Sequence, residues 1–470
     1  MRFYTYGAPG TRTDNLRTED VIRDYKECGF NVFPLFGLNH YDGEGWENSN
    51  AKKCFTLCKK IGIKELFLDD WRIYKLSMYG DKLIGDDSDC KFKSTDELDD
   101  YVRECMKEYI HEDNLLGFRL HDEPFCDLLK SYAQTYRSVK RVAKEFGREN
   151  VYIQINLNPM ITNIYERLCP ERNKEIDVAY EEYIDAFLKE TGADRLCVDN
   201  YPFRTNIHGG RFLDGYYRCF QILQKKCKQY NAEFGFVLQS FEMVHKRIPS
   251  ATAGYRRLTT LNQMMLQMNS ALGFGVREIS FYTYITMYND NESAWRAEDG
   301  SSFLGYNNDK THIYEFGKIA IAYAKALNKT LVNYQFNGAK ILVSEGAKDY
   351  SKYYLGCGEY KKADGSLGHA EFDNSFKPSV IKNASISKDI LLVCEHQNSD
   401  GNIIYMFENV SDHIFQKDLK SMSFSVEFAK EFKKAKIFDG EKFNDIELND
   451  ACYQTELAVG EATWIMLIKD

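Results

Sequence analysis

The chain has 470 residues, of which 28% are charged and 44% hydrophobic, and a formal net charge of −9. This is globular composition, and it excludes a wholly disordered, collagenous or coiled-coil chain. No apolar run approaches the roughly 18 residues of a membrane-spanning helix. Dispersed acidic charge argues against binding duplex nucleic acid, which needs a basic footprint. Neither membrane nor nucleic acid is an expected partner.

The first two thirds alternate short apolar runs with amphipathic stretches, the pattern of repeated βα units around a parallel sheet. The strands are read at Phe3–Tyr6, Val32–Phe36, Glu65–Leu68, Gly117–Leu120, Val151–Asn156, Arg195–Val198, Phe234–Leu238 and Glu278–Tyr282. Helical spacing marks Thr18–Cys28, Ser131–Phe146, Tyr216–Tyr230, Tyr255–Leu272 and Tyr314–Leu327 between and after them. Eight such units predict a (β/α)8 TIM barrel over residues 1–333. A doubly wound open sheet is the rival. It would place a glycine-rich phosphate loop after the first strand, and Gly7-Ala8-Pro9-Gly10 lacks that spacing.

After Asn333 the helical period fades and β-rich runs take over. They are Lys340–Val343, Ile390–Glu395, Ile403–Glu408, Ser423–Phe428, Lys434–Phe438 and Thr463–Ile468. Asp400-Gly401 and Asp439-Gly440 are hairpin signals between them. Residues 334–470 therefore read as a C-terminal antiparallel β-sandwich, with Ser344–Ser385 as a long excursion.

Thirteen cysteines form no CxxC pair. Cys54 and Cys58 are spaced to share a helix face, but no histidine cluster accompanies them. This points away from zinc and toward a reducing compartment. The opening MRFYTYGAPG has no basic stretch leading into an apolar core, so a cytoplasmic protein is expected. No cofactor motif is visible.

In a barrel, chemistry gathers where strands end and βα loops begin. The strand ends here read Asp69-Asp70-Trp71, His121-Asp122-Glu123-Pro124, Asn156-Leu157-Asn158, Asp199-Asn200-Tyr201-Pro202-Phe203, Gln239-Ser240-Phe241-Glu242 and Tyr282-Thr283-Tyr284. The sharpest is Gly117–Pro124, an apolar strand that runs into two acids and a proline stop. Adjacent carboxylates repel, so one keeps its proton to higher pH, as a general acid at neutral pH requires. The plainer reading is that Asp122 or Glu123 caps the following helix. Asn156, Asn200 and Gln239 are candidates to hydrogen-bond a polar substrate, with His121 and Asp70 beside them on the rim. Tyr201, Tyr282 and Tyr284 are candidates to bond or stack on substrate, and Trp71 and Trp295 are candidate stacking platforms. For any single aromatic, core packing is the commoner fate.

This ordered set resembles the clan A-type barrel glycoside hydrolases and their bacterial relatives. The resemblance rests on Cys28-Gly29-Phe30-Asn31, LLGFRLHDEP, VDNYPF, and FVLQSF followed by MLQMNSALGFGVREISFYTY, with VGEATWIMLIKD resembling the end of an accessory domain. It implies a carbohydrate substrate, Glu123 as the proton donor to the glycosidic oxygen, and a carboxylate nucleophile near the end of strand seven. The sequence departs there, since Gln239 cannot form a glycosyl ester. Glu242, three residues later, either reaches inward or is a solvated loop acid. The Asp122-Glu123 pair also resembles substrate-assisted hexosaminidases. In those the 2-acetamido oxygen attacks, the Asp orients it and the Glu is acid/base. Inversion through Asp199 or Asp70 is a third scheme. Two other functions stay open: a metal-dependent hydrolase, although the 9 histidines include no HxH or HExxH, and a non-catalytic carbohydrate-binding barrel.

Overall fold

The computed structural model describes residues 1–6, 19–35, 41–161, 164–203, 215–245, 254–255, 258–286, 295–296, 300–347, 360–411 and 421–468. Eight strands alternate with eight helices in its first two thirds. The strands are β1 (Arg2–Thr5), β2 (Val32–Leu35), β3 (Glu65–Leu68), β4 (Leu115–Arg119), β5 (Tyr152–Gln154), β6 (Arg195–Asp199), β7 (Glu233–Gln239) and β8 (Glu278–Tyr282). The helices are α1 (Glu19–Glu27), α2 (Asn50–Ile61), α3 (Thr95–Met106), α4 (Leu129–Glu145), α5 (Ile176–Thr191), α6 (Tyr216–Tyr230), α7 (Leu261–Gly273) and α8 (His312–Leu331).

The strands pair in parallel as two sets of four, β2-β3-β4-β5 and β6-β7-β8-β1. Two seams close them into a barrel. Leu157 N–H donates to Cys197 O at 2.9 Å, and Asn31 N–H donates to Phe3 O at 3.0 Å. Gly117 makes the β4–β5 approach possible, since a Cβ there would lie 1.7 Å from Tyr152 O.

Helix ends follow local chemistry. Ser49 caps α2 by accepting from Lys52 N–H, and Gly62 ends it in the left-handed region at φ 86°. Cys54 and Cys58 lie buried on one face of α2. The α7 helix starts at Leu261 behind a Thr260 cap, later than the expected Tyr255, which pairs instead in a short strand, Gly254–Tyr255.

Side-chain alternation sorts each strand between two cores. Tyr4, Tyr6, Val32, Phe67, Tyr152, Cys197, Tyr201 and Val237 pack together inside the barrel. Phe3, Leu66, Leu68, Phe118, Ile153, Leu196 and Val198 face the helix layer. The inward register, continued to the C-terminal end, places Asp69, Arg119, Asn156 and Asp199 at the mouth.

The C-terminal part begins with β9 (Gln335–Val343). It continues through β10 (Ile381–Ile386), β11 (Ile390–Gln397), β12 (Ile403–Asn409), β13 (Met422–Phe428), β14 (Lys434–Phe438), β15 (Phe443–Glu447), β16 (Cys452–Leu457) and β17 (Ala462–Ile468). One antiparallel sheet has the order β9-β11-β12-β17-β14-β15 and the other β10-β13-β16. In β11 and β12, Leu391, Val393, Tyr405 and Phe407 face the second sheet. Leu392, Cys394, Ile404 and Met406 face the barrel's helix layer. The larger sheet is thus covered on both sides. The excursion holds the hairpin Tyr360–Lys361/Leu367–Gly368, which docks on the barrel as Lys362 pairs with Glu175 at 2.6 Å. Among the described residues no helix is long and apolar enough to cross a membrane.

Candidate active site

The centre of the mouth is a cluster of three carboxyl groups. Glu123 follows β4 with φ 50°, a left-handed conformation that costs a non-glycine residue roughly 1–2 kcal/mol. Two bonds pin that backbone. Glu123 N–H donates to Asn156 O at 2.9 Å, and Asn158 Nδ2 donates to Glu123 O at 2.9 Å. Strain held by neighbours at a strand end is typical of a functional position.

The donors around the cluster are unevenly shared. Tyr6 Oη donates to Asp122 Oδ1 at 2.6 Å. Asn156 Nδ2 donates to Asp122 Oδ1 at 3.0 Å and to Asp199 Oδ1 at 3.3 Å. Tyr201 lies beside Asp199. Glu123 and Asp199 hydrogen-bond each other directly, which requires a shared proton. Burial, then the neighbouring Asp199 and Asp122 carboxylates, push the Glu123 carboxyl far above the usual range. Burial also raises Asp199, against the opposing influence of Glu123, Tyr201 and Asn156 beside it. The proton therefore rests on Glu123. Asp122 is the most open of the aspartates at the mouth, its side chain 40% exposed.

Aromatic rings wall the mouth. Phe241 meets Tyr201 edge-on at 4.9 Å and Tyr282 at 5.0 Å, and Tyr6 lies 6.3 Å from Tyr282. On the other flank, Trp71 stacks on Tyr74 at 4.7 Å, and Tyr74 stacks on His121 at 5.3 Å. Burial lowers the pKa of His121.

Several candidates have other work. The Asp70 side chain is fully buried. It caps the short helix Trp71–Tyr74, pairs with Arg72 at 2.7 Å and accepts from Tyr109 Oη at 2.7 Å. No face of it is left for water. The Gln239 amide is spent on backbone, accepting from Phe203 N–H at 3.0 Å and donating to Phe203 O at 3.1 Å, so it ties the loops after β6 and β7 together. Asn200 points out of the barrel to the Cys219 thiol of α6. Tyr284 is fully buried in the helix layer, stacked on Phe303 at 5.6 Å. Asn156 serves the carboxyl cluster itself.

Glu242 is half-buried, one residue beyond Phe241 at the rim. The backbone of Trp295 pairs with His245 in a short antiparallel ladder, while its side chain lies outside the described residues, as do Gly7-Ala8-Pro9-Gly10. Among the described residues, no group of three or more His, Cys, Asp or Glu side chains is arranged to hold a metal ion.

The sequence reading gave no role to Tyr6, Asp69, Tyr74, Arg119 or Phe241. The signal for three of them was present. Tyr6 follows the inward Tyr4, Asp69 follows the inward Phe67, and Arg119 lies two residues past Gly117, so strand alternation carries each to the mouth.

No family model matches the chain, and no curated protein matches it. Solved structures do. A family 5 glycoside hydrolase from Bacteroides vulgatus is 10% identical, with 100% of this chain and 88% of that one covered at a TM-score of 0.52. A structure described only as a glycoside hydrolase is 10% identical, covering 100% and 92% at a TM-score of 0.49. The endo-beta-1,4-mannanase from Thermotoga petrophila is 12% identical, covering 98% of each chain at a TM-score of 0.43. The first of these likenesses establishes a shared fold, a (β/α)8 barrel followed by a β-sandwich.

Proposed function

We propose that the chain is a glycoside hydrolase that cleaves an O-glycosidic bond of a carbohydrate, with Glu123 as general acid/base. The observation that carries this reading is the distribution of hydrogen bonds in the cluster. Tyr6 and Asn156 donate to the two aspartates, and the carboxyl left without those donors, Glu123, holds the proton. A half-buried acid at the mouth of a barrel can protonate a leaving oxygen at neutral pH. As the C–O bond breaks, positive charge develops at the anomeric carbon, and an open carboxylate beside the acid stabilises it. Asp122 fits that role, because its Oδ1 is held by Tyr6 and Asn156 while the side chain stays open to the mouth.

The reading favours the substrate-assisted scheme. Gln239 is no nucleophile, and its amide is engaged with Phe203. Glu123 and Asp199 touch, closer than the roughly 6.5–9.5 Å that an inverting pair keeps for its water. Asp122 adjoining Glu123 supplies the pair that a 2-acetamido sugar would use. Attack by Glu242 is the second reading, supported by its place on the rim next to Phe241.

Glu123→Gln keeps the shape and removes the transferable proton. The expected result is a fall in turnover of about 10²–10⁴-fold with sugar binding retained, measured on a panel of aryl hexosides and N-acetylhexosaminides. Undiminished turnover would overturn the assignment. Sugar binding without turnover in the unaltered chain would make it a carbohydrate-binding barrel instead.

A further inference from the structure

The loops at the mouth carry two cations that lie on aromatic rings. Arg167, in the short helix Tyr165–Leu168 between β5 and α5, sets its Cζ 3.2 Å from the centre of the Phe125 ring. Phe125 follows Glu123 by two residues in the loop after β4, and Arg167 is among the charges that act on the Glu123 carboxyl. Lys75, in the loop after β3, sets its Nζ 5.3 Å from the centre of the Trp71 ring. That loop is tied to the end of β4, because Ser77 Oγ donates to Leu120 O at 2.7 Å. Both cations are exposed. Their neighbours are paired with acids. Arg72 meets Asp70 at 2.7 Å and Glu108 at 2.8 Å, and Arg119 meets Asp69 at 2.8 Å. Glu166, beside Arg167 in the chain, is taken by Arg172 at 3.0 Å. Among the described residues, neither Arg167 nor Lys75 has an ion-pair partner. An aromatic face fixes a cation in place without cancelling its charge. Two fixed, uncompensated cations at the rim of a mouth lined with carboxyl groups are suited to receive an anion.

We propose that this side of the rim binds an anionic glycan, with Arg167 as the specificity-determining residue. Arg167 takes a carboxylate or sulfate on the sugar next to the bond that Glu123 protonates, and Lys75 takes a second such group further along the rim. The centre of the mouth has no place for an anionic group, because Asp122 and Asp199 stand there. The charge therefore belongs on a neighbouring sugar that reaches the loops. A guanidinium stacked on a ring keeps its edge free for the two parallel bonds that a planar carboxylate accepts. The inference rests on the glycosidase reading for the position of the bond, but binding alone tests it.

Binding is measured by calorimetry on the full chain carrying Glu123→Gln, so that no probe is consumed. Three pairs of oligosaccharides serve as probes: hexagalacturonate and a chondroitin hexasaccharide, each beside its carboxyl-reduced form, and 6-sulfated chitohexaose beside chitohexaose. At least one acidic probe should bind about 10-fold more tightly than its neutral counterpart, the scale of a charge-assisted hydrogen bond. Whether that probe carries carboxylates or sulfates identifies the group. The preference should shrink as salt rises, because exposed charges are screened. Arg167→Met keeps an apolar contact with Phe125 and should remove the preference while leaving the neutral probes unaffected. Arg167→Lys should retain part of it, and Lys75→Gln should reduce it by a smaller factor. The proposal is overturned if no acidic probe outbinds its neutral counterpart, if the preference survives Arg167→Met, or if that variant weakens acidic and neutral probes alike. Acidic preference as stated, with no probe cleaved by the unaltered chain, would end the glycosidase reading and leave this site standing. Turnover that depends on Glu123, without any acidic preference, would do the reverse.

Discussion

One amide nitrogen, Asn156 Nδ2, donates to Asp122 at 3.0 Å and to Asp199 at 3.3 Å. Asp122 takes a further bond from Tyr6, and Glu123 shares its proton with Asp199. Two expectations follow at this scale. Asp199 is the nearest charge holding the Glu123 proton, so Asp199→Asn should lower the Glu123 pKa. Glu123 works as an acid only while protonated, so the basic limb of the kcat/KM profile should move to lower pH; a limb that stays in place would separate Asp199 from the acid. If the 2-acetamido group attacks, Asp122→Asn should cost at least about 10²-fold in kcat and Glu242→Gln should barely matter. The reverse order, with Glu242 labelled by a 2-fluoro sugar, would favour the protein nucleophile. The site's centre was legible in the sequence because Asp122-Glu123-Pro124 and Asp199 stand at strand ends. The roles of Asn156 and Gln239 were not. An amide at a strand end has the same letter whether it meets sugar, a carboxylate or Phe203 backbone.

Among elements, β4 and β5 carry the site. Gly117 lets these strands approach, and a Cβ there would overlap Tyr152 O. Gly117→Ala should therefore destabilise the chain by about 1–3 kcal/mol and shift Glu123, whose backbone N–H donates to Asn156 O. Denaturant unfolding with an unchanged midpoint would contradict that register. The eight barrel strands could be read ahead of the structure because short apolar runs alternate with amphipathic helices. In the sandwich, β11 and β12 were legible for another reason: both faces are covered, so their sequences ILLVC and IIYMF are continuously apolar. The missed strands β10, β15 and β16 have one exposed face, with burial alternating along them. Their apolar signal is too thin to separate from loop. The misplaced start of α7 arose because Tyr255 and Leu258 match the helical period while Thr260 holds the actual cap.

At the scale of the molecule, barrel and sandwich share a core. Trp464 of β17 is fully buried with the residues that face the barrel's helix layer, while Ile465 and Leu467 face the second sheet. Removing the last ten residues should therefore lower thermal stability of the whole chain, and unchanged melting would count against this placement. Glu408 of β12 is buried at the junction, where it accepts from Ser270 Oγ of α7 at 2.8 Å. Burial raises its pKa well above the usual carboxylate range. A carboxyl raised by folding favours the folded state while protonated, and that contribution is lost as pH climbs from the unfolded value toward the folded one. Glu408→Gln keeps the Ser270 bond and removes the charge. Its melting temperature should exceed the parent's by about 2–4 °C at pH 8, with a smaller difference at pH 4. Equal melting at both pH values would show that the junction does not feel this charge.

The central claim is that Glu123 gives its proton to the departing oxygen, and leaving-group dependence tests it most directly. Aryl glycosides with leaving groups of graded acidity are compared for the parent chain and Glu123→Gln. Poor leaving groups need protonation and good ones do not. The account predicts a loss of about 10²–10⁴-fold with poor leaving groups that shrinks steadily as the leaving group improves. An equal loss across the series would contradict it, because Glu123 would then act by some means other than donating a proton.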